Sequence, residues 1–293
     1  MDVIARLTEA GFGPIMVLDG HACGVEEPTL LLAFMCYTPE AYTEDAGPLI
    51  HPYYYTSQRA YREAAMLVRE ARAEGIGLRL RDEVRVKPIF ARLDCLARGR
   101  NTLSFMPEAG SRFHVQILGL DEQLTPTHRL TQEPHERHCG SCTRCMEVCP
   151  THAIDADGFH RERCLRNWQL GGQPVPEALR LRMGMRFIGC DECQRCCPHN
   201  PPTPASPRPA LQLPELLTEP KAVAQQLKEQ IGANLALPNR VLAQALLNAG
   251  CSGDVTLLPL VEPLTRHPSP IVQEHARWAA GMLRAKEDSH AEE

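Results

Sequence analysis

Nine of the chain's 13 cysteines fall between positions 139 and 197, and their spacing is that of metal chemistry. Cys139, Cys142, Cys145 and Cys149 read C-x2-C-x2-C-x3-C, with Pro150 next. This is the run in which three cysteines hold one [4Fe–4S] cubane and the fourth reaches a second one. A tight loop wraps three corners of a cubane with residues three apart, whereas the cysteine that follows points away from it. The reciprocal run is Cys190, Cys193 and Cys197, C-x2-C-x3-C, closed by Pro198. One cluster thus takes Cys139, Cys142, Cys145 and Cys197, and the other takes Cys149, Cys190 and Cys193 with one corner open. Cys164 and Cys196 compete for that corner. Neighbours on a helix diverge by about 100°, so Cys196 and Cys197 serve together only if they face different clusters. Cys164, in HRERCLRNW, has no other evident role and is favoured, with Cys196 the alternative. A pair of zinc ribbons is the competing reading, but zinc needs neither the third cysteine at x2 nor the Cys-Pro pairs.

The other cysteines have plainer readings. Cys36 in an apolar strand and Cys251 beside a helix end are read as packing residues, and Cys23 and Cys95 as partly buried thiols. Asp19 to Gly24 (DGHACG) matches a short D-x-H-x-x-G pattern of cobalamin domains, but the accompanying elements are missing and chance explains the match better. Net charge is −5, against a dedicated nucleic-acid binder, and RLRMGMR (180–186) reads as a solvated helix face rather than a basic patch. With no basic-then-apolar leader and no spanning stretch, the expected compartment is the cytoplasm, with no membrane partner. Thiols there stay reduced, which suits metal ligation better than disulfides.

The elements that must carry these residues are α+β. In 1–132, a mixed α/β lobe, strands are expected at 14–18 and 29–37. A helix at 56–75 carries an apolar stripe of Ala60, Ala64, Met66, Leu67 and Ala71, and Gly75 is its stop. GLRLR (77–81) follows, then a helical stretch near 88–97. The segments 101–105 and 112–120, on either side of the turn-forming MPEAG, are a hairpin or two neighbouring strands. Tyr53 to Tyr55 present a flat aromatic surface or enter the core. Residues 133–200 form a ferredoxin-like dicluster module, and the proline-rich 201–216 a linker. Residues 217–293 are helical, Ser269 and Pro270 open the last helix, and the tail from Lys286 should fray. With at most two repeat-like units, this segment should pack on the dicluster lobe.

Taken in order, CGSCTRCMEVCPTHAI (139–154), RERCLRNW (161–168) and GCDECQRCCPHNPP (189–202) resemble epoxyqueuosine reductase, the cobalamin-dependent enzyme family of the last step of queuosine synthesis in tRNA. The resemblance implies a cobalamin-binding-type lobe and that the lone central cysteine, Cys164, completes the second cluster. GRNTLSFMPEAGSRF (99–113) looks like the family's stretch beside the corrin, implying cofactor contacts at Gly99, Asn101, Thr102, Gly110 and Ser111. The strand TLLLAFMCYTPE resembles the one preceding the substrate pocket, and the C-terminal helices are similar to a HEAT-like pair.

Two departures stand out. The part before the clusters is several dozen residues shorter than the family's. Where the family has an aspartate proposed to give a proton to substrate, this chain has Arg85, in VRVKPIFAR (84–92). An arginine stays charged at any working pH and cannot serve as a carboxylic proton donor. Asp82 and Asp94 are the candidate substitutes, while Arg85 either clamps an anionic substrate or corrin group, or pairs with Asp82 or Glu83. Three functions follow: a cobalamin-using reductase fed through two [4Fe–4S] clusters by a reductant protein such as a flavodoxin or ferredoxin; a non-catalytic dicluster carrier or corrinoid-reducing partner; or a module whose C-terminal helices dock tRNA.

Overall fold

A computed structural model describes residues 1–39, 47–106, 109–134, 139–205 and 210–291. The chain separates into two units, each built from non-contiguous stretches. Met1–Pro39, Tyr55–Cys145 and Gln194–Pro204 form the first; Glu40–Tyr54, Met146–Cys193 and Ala205–Glu293 form the second. The stretch 133–200, read as one module, is divided between them.

In the first unit a four-stranded antiparallel sheet runs in the order Ile15–Asp19, Thr29–Cys36, Phe113–Leu120, Leu78–Leu80. Thr29–Cys36 is unbroken apolar sequence because both its faces are covered. Leu31, Ala33 and Met35 join Leu7, Ala60, Ala64 and Leu67 on one side, and Leu30, Leu32 and Phe34 join Ile89, Phe90 and Leu93 on the other. The helix Pro52–Ala73 begins earlier than expected, with a proline at its first position. Ala60, Ala64, Leu67 and Ala71 are buried, but Met66 is 44% exposed, since it stands about 100° round the helix from Leu67. Gly75, at φ 76, ends the turn.

Three further expectations change here. The helix near 88–97 is only Val86–Phe90; beyond it Leu93 bridges Leu130 and sinks into the core. Ser104–Phe105 pairs with Ala97–Arg98, not with Phe113–Leu120, whose two edges are already occupied by Thr29–Cys36 and Leu78–Leu80. Pro107 and Glu108 of the intervening MPEAG turn lie outside the described residues. Cys36, at the strand's end, is exposed rather than packed.

In the second unit two short parallel strands, Leu49–Ile50 and Arg186–Ile188, accompany the helices Leu213–Thr218, Pro220–Ile231, Pro238–Ser252 and Pro270–Ala291. Residues 201–205 and 210–212 form no regular element; the first helix then starts inside the 201–216 stretch, with Pro214 in its opening turn. Pro207 and Pro209 lie outside the described residues. The last helix runs on to Ala291 instead of fraying at Lys286. Leu247 shares a core with Leu165, Val175 and Met183, so the C-terminal helices pack on the stretch between the cysteine runs. Arg180 is not on a solvated face. It is 5% exposed, gives its Nε–H to the Val175 carbonyl at 2.8 Å, and pairs with Glu274. Among the described residues no helix is long and apolar enough to cross a membrane.

His275 is fully buried in this unit. Its Nε2 accepts from the Val175 N–H at 3.0 Å, which leaves Nδ1–H to donate to the Ala243 carbonyl at 3.0 Å, so the ring is held neutral. Burial pulls its pKa down to about 4. The neutral ring's contribution to stability is complete above the unfolded value of about 6.5 and is lost as pH falls toward about 4. Urea midpoints between pH 7 and pH 4.5 should therefore fall more steeply for the natural chain than for His275→Gln.

Candidate metal centres

Cys139, Cys142, Cys145 and Cys197 all belong to the first unit. A tight turn at Gly99–Thr102 faces the first of them. Gly99 N–H donates to the Leu103 carbonyl at 2.8 Å, Thr102 N–H to the Gly99 carbonyl at 2.9 Å, and Leu103 N–H to Asn101 Oδ1 at 3.2 Å. Thr102 takes φ 63 to close it. The turn presents the Arg100 N–H to Cys139 Sγ at 3.1 Å, and Arg100 Nη2 reaches the Gly140 carbonyl at 3.3 Å. Arg100 Nε is buried and has no acceptor among the described residues. Burial, then the neighbouring Cys139 and Cys142 thiols and Cys197, push the Cys145 thiol up.

Cys197 arrives from far along the chain, and a buried amide knot brings it. Asn200 Oδ1 accepts from the Ser111 N–H at 2.7 Å and from Ser111 Oγ at 3.2 Å, while Asn200 Nδ2 donates to the Gln194 carbonyl at 2.6 Å. Gln194 Nε2 gives to the Ser111 carbonyl at 2.8 Å, and Tyr37 OH to Gln194 Oε1 at 3.0 Å. His199 stacks on Phe105 at 4.2 Å. Cys196 lies on this side too. Burial, then the neighbouring Cys145 and Cys197 thiols, push it up to about 11.

The second unit holds Cys149, Cys164, Cys190 and Cys193, and all four line a single cavity with Ile154, Phe159 and Leu165. Cys149 Sγ accepts from the Ala153 N–H at 3.2 Å, and Cys164 opens the helix Leu165–Leu170. Gln169, fully buried, fixes the loop before Cys190: its Oε1 takes the Gly189 N–H and its Nε2 gives to the Arg186 carbonyl, both at 2.8 Å. Gly189 has φ 97, and a Cβ there would stand 2.4 Å from that of His51. Burial pushes the Cys190 thiol up to about 11, so a metal must displace its proton on binding. Tyr53 and Tyr54 face a cation rather than a flat ligand: Arg166 donates to Tyr54 OH at 3.0 Å and lies 5.1 Å from the Tyr53 ring centre. Among the described residues no three His, Cys, Asp or Glu side chains converge on a point fit for a single ion. The donor sets, four thiols each, suit a cluster with separated corners.

The residues expected to bind cofactor stand in several local settings. Gly110 and Ser111 are engaged in the amide knot, Asn101 closes its own turn, and Thr102 lines a small cleft with Lys87, Phe90 and Arg98. Arg85 lines a different cavity of the first unit, of about 560 Å³, with Cys23, Glu26, Arg81, Glu83 and Arg92 over Val25, Ile89 and Leu130. The expected pairing of Arg85 with Asp82 or Glu83 is not made. Glu83 pairs with Arg81, and Asp82 takes the Gln116 amide at 2.8 Å. Neither Arg85 nor Glu26 has an ion pair among the described residues. Asp82 and Asp94 are exposed and absent from the lining. Sequence reasoning missed Cys23, Glu26 and Arg92 here; the one signal was the Asp19–Gly24 turn, whose last residues form part of the wall.

Residues 138–200 match the family described as the 4Fe-4S double cluster binding domain. The chain is 36% identical to the epoxyqueuosine reductase of Alicycliphilus denitrificans over 205 residues, 62% of this chain and 54% of that one. It is 34% identical to that of Escherichia coli over 203 residues, 62% and 49% of the two chains. Over the aligned stretch the chain is thus similar in sequence to epoxyqueuosine reductases. The match spans about half the length of those curated relatives. In fold it is similar to a crystal structure of epoxyqueuosine reductase with an epoxyqueuosine-modified tRNA-Tyr stem loop, with TM-score 0.73, 19% identity and coverage of 96% of this chain and 89% of that one. A Bacillus subtilis epoxyqueuosine reductase with its catalytic loop swung out gives TM-score 0.71 at 20% identity, with the same coverage.

Gly110 sits at φ +75 with its missing Cβ 2.3 Å from Asn200 Oδ1. Gly110→Ala should lose about 2 kcal/mol or more of stability in chemical denaturation, because it adds backbone strain and overpacks the knot.

Proposed function

We propose that this chain is an iron–sulfur reductase of the epoxyqueuosine reductase kind, acting on a modified nucleotide of tRNA. One [4Fe–4S] cluster is held by Cys139, Cys142, Cys145 and Cys197, and the other by Cys149, Cys164, Cys190 and Cys193. The observation that carries this is the cavity shared by Cys149, Cys164, Cys190 and Cys193, which supports Cys164 as the corner that the sequence runs leave open. Cys196 stands with the other set, which already has four thiols. When bound, the clusters supply one-electron transfers, fed by a flavodoxin or ferredoxin, and a cobalamin supplies the substrate reduction.

The chain's own residues do the rest. The corrin would be held along the Gly99–Thr102 turn and the Gly110–Ser111 corner. The fit is supported by the buried Arg100 Nε, a donor in that turn with no protein acceptor among the described residues. The Arg85 cavity has the size of a nucleoside-scale ligand. Arg85 replaces a carboxyl with a fixed cation and anchors an anionic group, for which a nucleotide phosphate is apt. The proton then comes from Glu26, the one carboxyl in that lining without an arginine partner. The 217–293 segment is the HEAT-like part and the tRNA-docking surface of this reading.

The arginine at the acid's place also favours a second reading, a dicluster carrier that feeds electrons to a corrinoid protein. Anaerobic reconstitution with iron, sulfide and cobalamin separates the two: corrin retained through gel filtration supports the reductase, and its loss the carrier. Iron should reach about eight per chain. Cys164→Ser should lower it, while Cys196→Ser should leave it unchanged; the opposite pattern would exchange their roles. Glu26→Gln should cut single-turnover reduction of an epoxyqueuosine-containing stem loop by a factor of about 100 or more with iron content intact.

A further inference from the structure

The two cysteine sets sit in unlike electrostatic surroundings. At the first, the turn at Gly99–Thr102 delivers the Arg100 backbone N–H to Cys139 Sγ at 3.1 Å. The same residue's guanidinium is pinned over the cysteine loop by the Gly140 carbonyl at 3.3 Å, with its Nε buried and without an acceptor among the described residues. No carboxylate pairs with Arg100 among the described residues. At the second set, Ala153 N–H serves Cys149 Sγ, but the nearby arginine, Arg186, is matched by Glu192. The first set therefore faces a cation with no carboxylate partner among the described residues, whereas at Cys190 the Arg186 cation is met by Glu192 and Asp191.

We propose that Arg100 sets the reduction potential of the cluster held by Cys139, Cys142, Cys145 and Cys197, making it the more easily reduced of the two. This rests on the two-cluster reading above. Each reduction adds one electron and one negative charge to a cluster already ligated by four thiolates. N–H donors to sulfur and a nearby positive charge stabilise the reduced form more than the oxidised one. An arginine is always charged, so this bias holds across the working pH range. Arg100 acts through the cluster and is a positioning and tuning residue, not one that touches substrate.

The test is an EPR-monitored redox titration with dithionite of the reconstituted full chain, in which the natural protein should show two midpoint potentials. Arg100→Gln should move the higher one down and leave the lower one in place, with iron content unchanged. Arg100→Lys, which keeps the charge and loses Nε–H, should move it by less. Unchanged potentials in Arg100→Gln, a shift in the lower one, or the loss of about half the iron would each overturn the proposal, the last by making the residue a structural staple. A natural chain that binds no cluster signals the failure of the two-cluster reading instead, which the natural-protein arm reports before any variant is measured.

Discussion

The buried amide knot of Gln194 and Asn200 around Ser111 is the interaction on which the first cysteine set depends. Cys197 lies more than fifty residues beyond Cys145, and loop closure alone gives it no reason to return. The knot provides one. Two side-chain amides saturate the backbone groups of Ser111 in a dry site, where each bond left unmade costs a full desolvation penalty. Gly110 must lack a side chain for Asn200 to reach in, and its positive φ turns the chain so that the Ser111 N–H faces the amide. Gly110 and Ser111, expected as cofactor contacts, thus also form the clasp for a cysteine.

The second set is fastened differently, by Gln169 bridging Gly189 and Arg186 and by the helices that pack on Leu165, Val175 and Met183. Each unit therefore contains a complete group of four thiols, and each group is completed by a residue distant in sequence from its own run. This division also separates their electrostatics. An arginine with no carboxylate partner among the described residues stands over one group and a matched arginine–glutamate pair beside the other, so two chemically identical donor sets need not have identical potentials.

The Arg85 cavity shows how a single replacement reorganises a site. In the resembled family a carboxyl occupies that position; here the neighbouring acids are engaged elsewhere, Glu83 with Arg81 and Asp82 with Gln116, and Arg85 has no ion pair among the described residues. Glu26 comes to the same wall from the turn after the first strand. Charge and acid are both present in the lining, but on different elements from those the family pattern suggests.

The cysteine spacing by itself determined the metal chemistry, because a cubane's corners fix how far apart ligands in one loop can lie. Apolar runs likewise determined the central strand and the long helix, whose burial follows period two and period 3.6. Only the tertiary structure decided the rest. The sequence favours Cys164 but leaves Cys196 open; in the structure Cys164 shares a cavity with the second set and Cys196 stands with the first. Arg180 reads as a surface charge and is buried over Trp278; Arg85 reads as half of an ion pair and is not one. These outcomes depend on which distant groups come within hydrogen-bonding distance, and spacing along the chain carries no information about that.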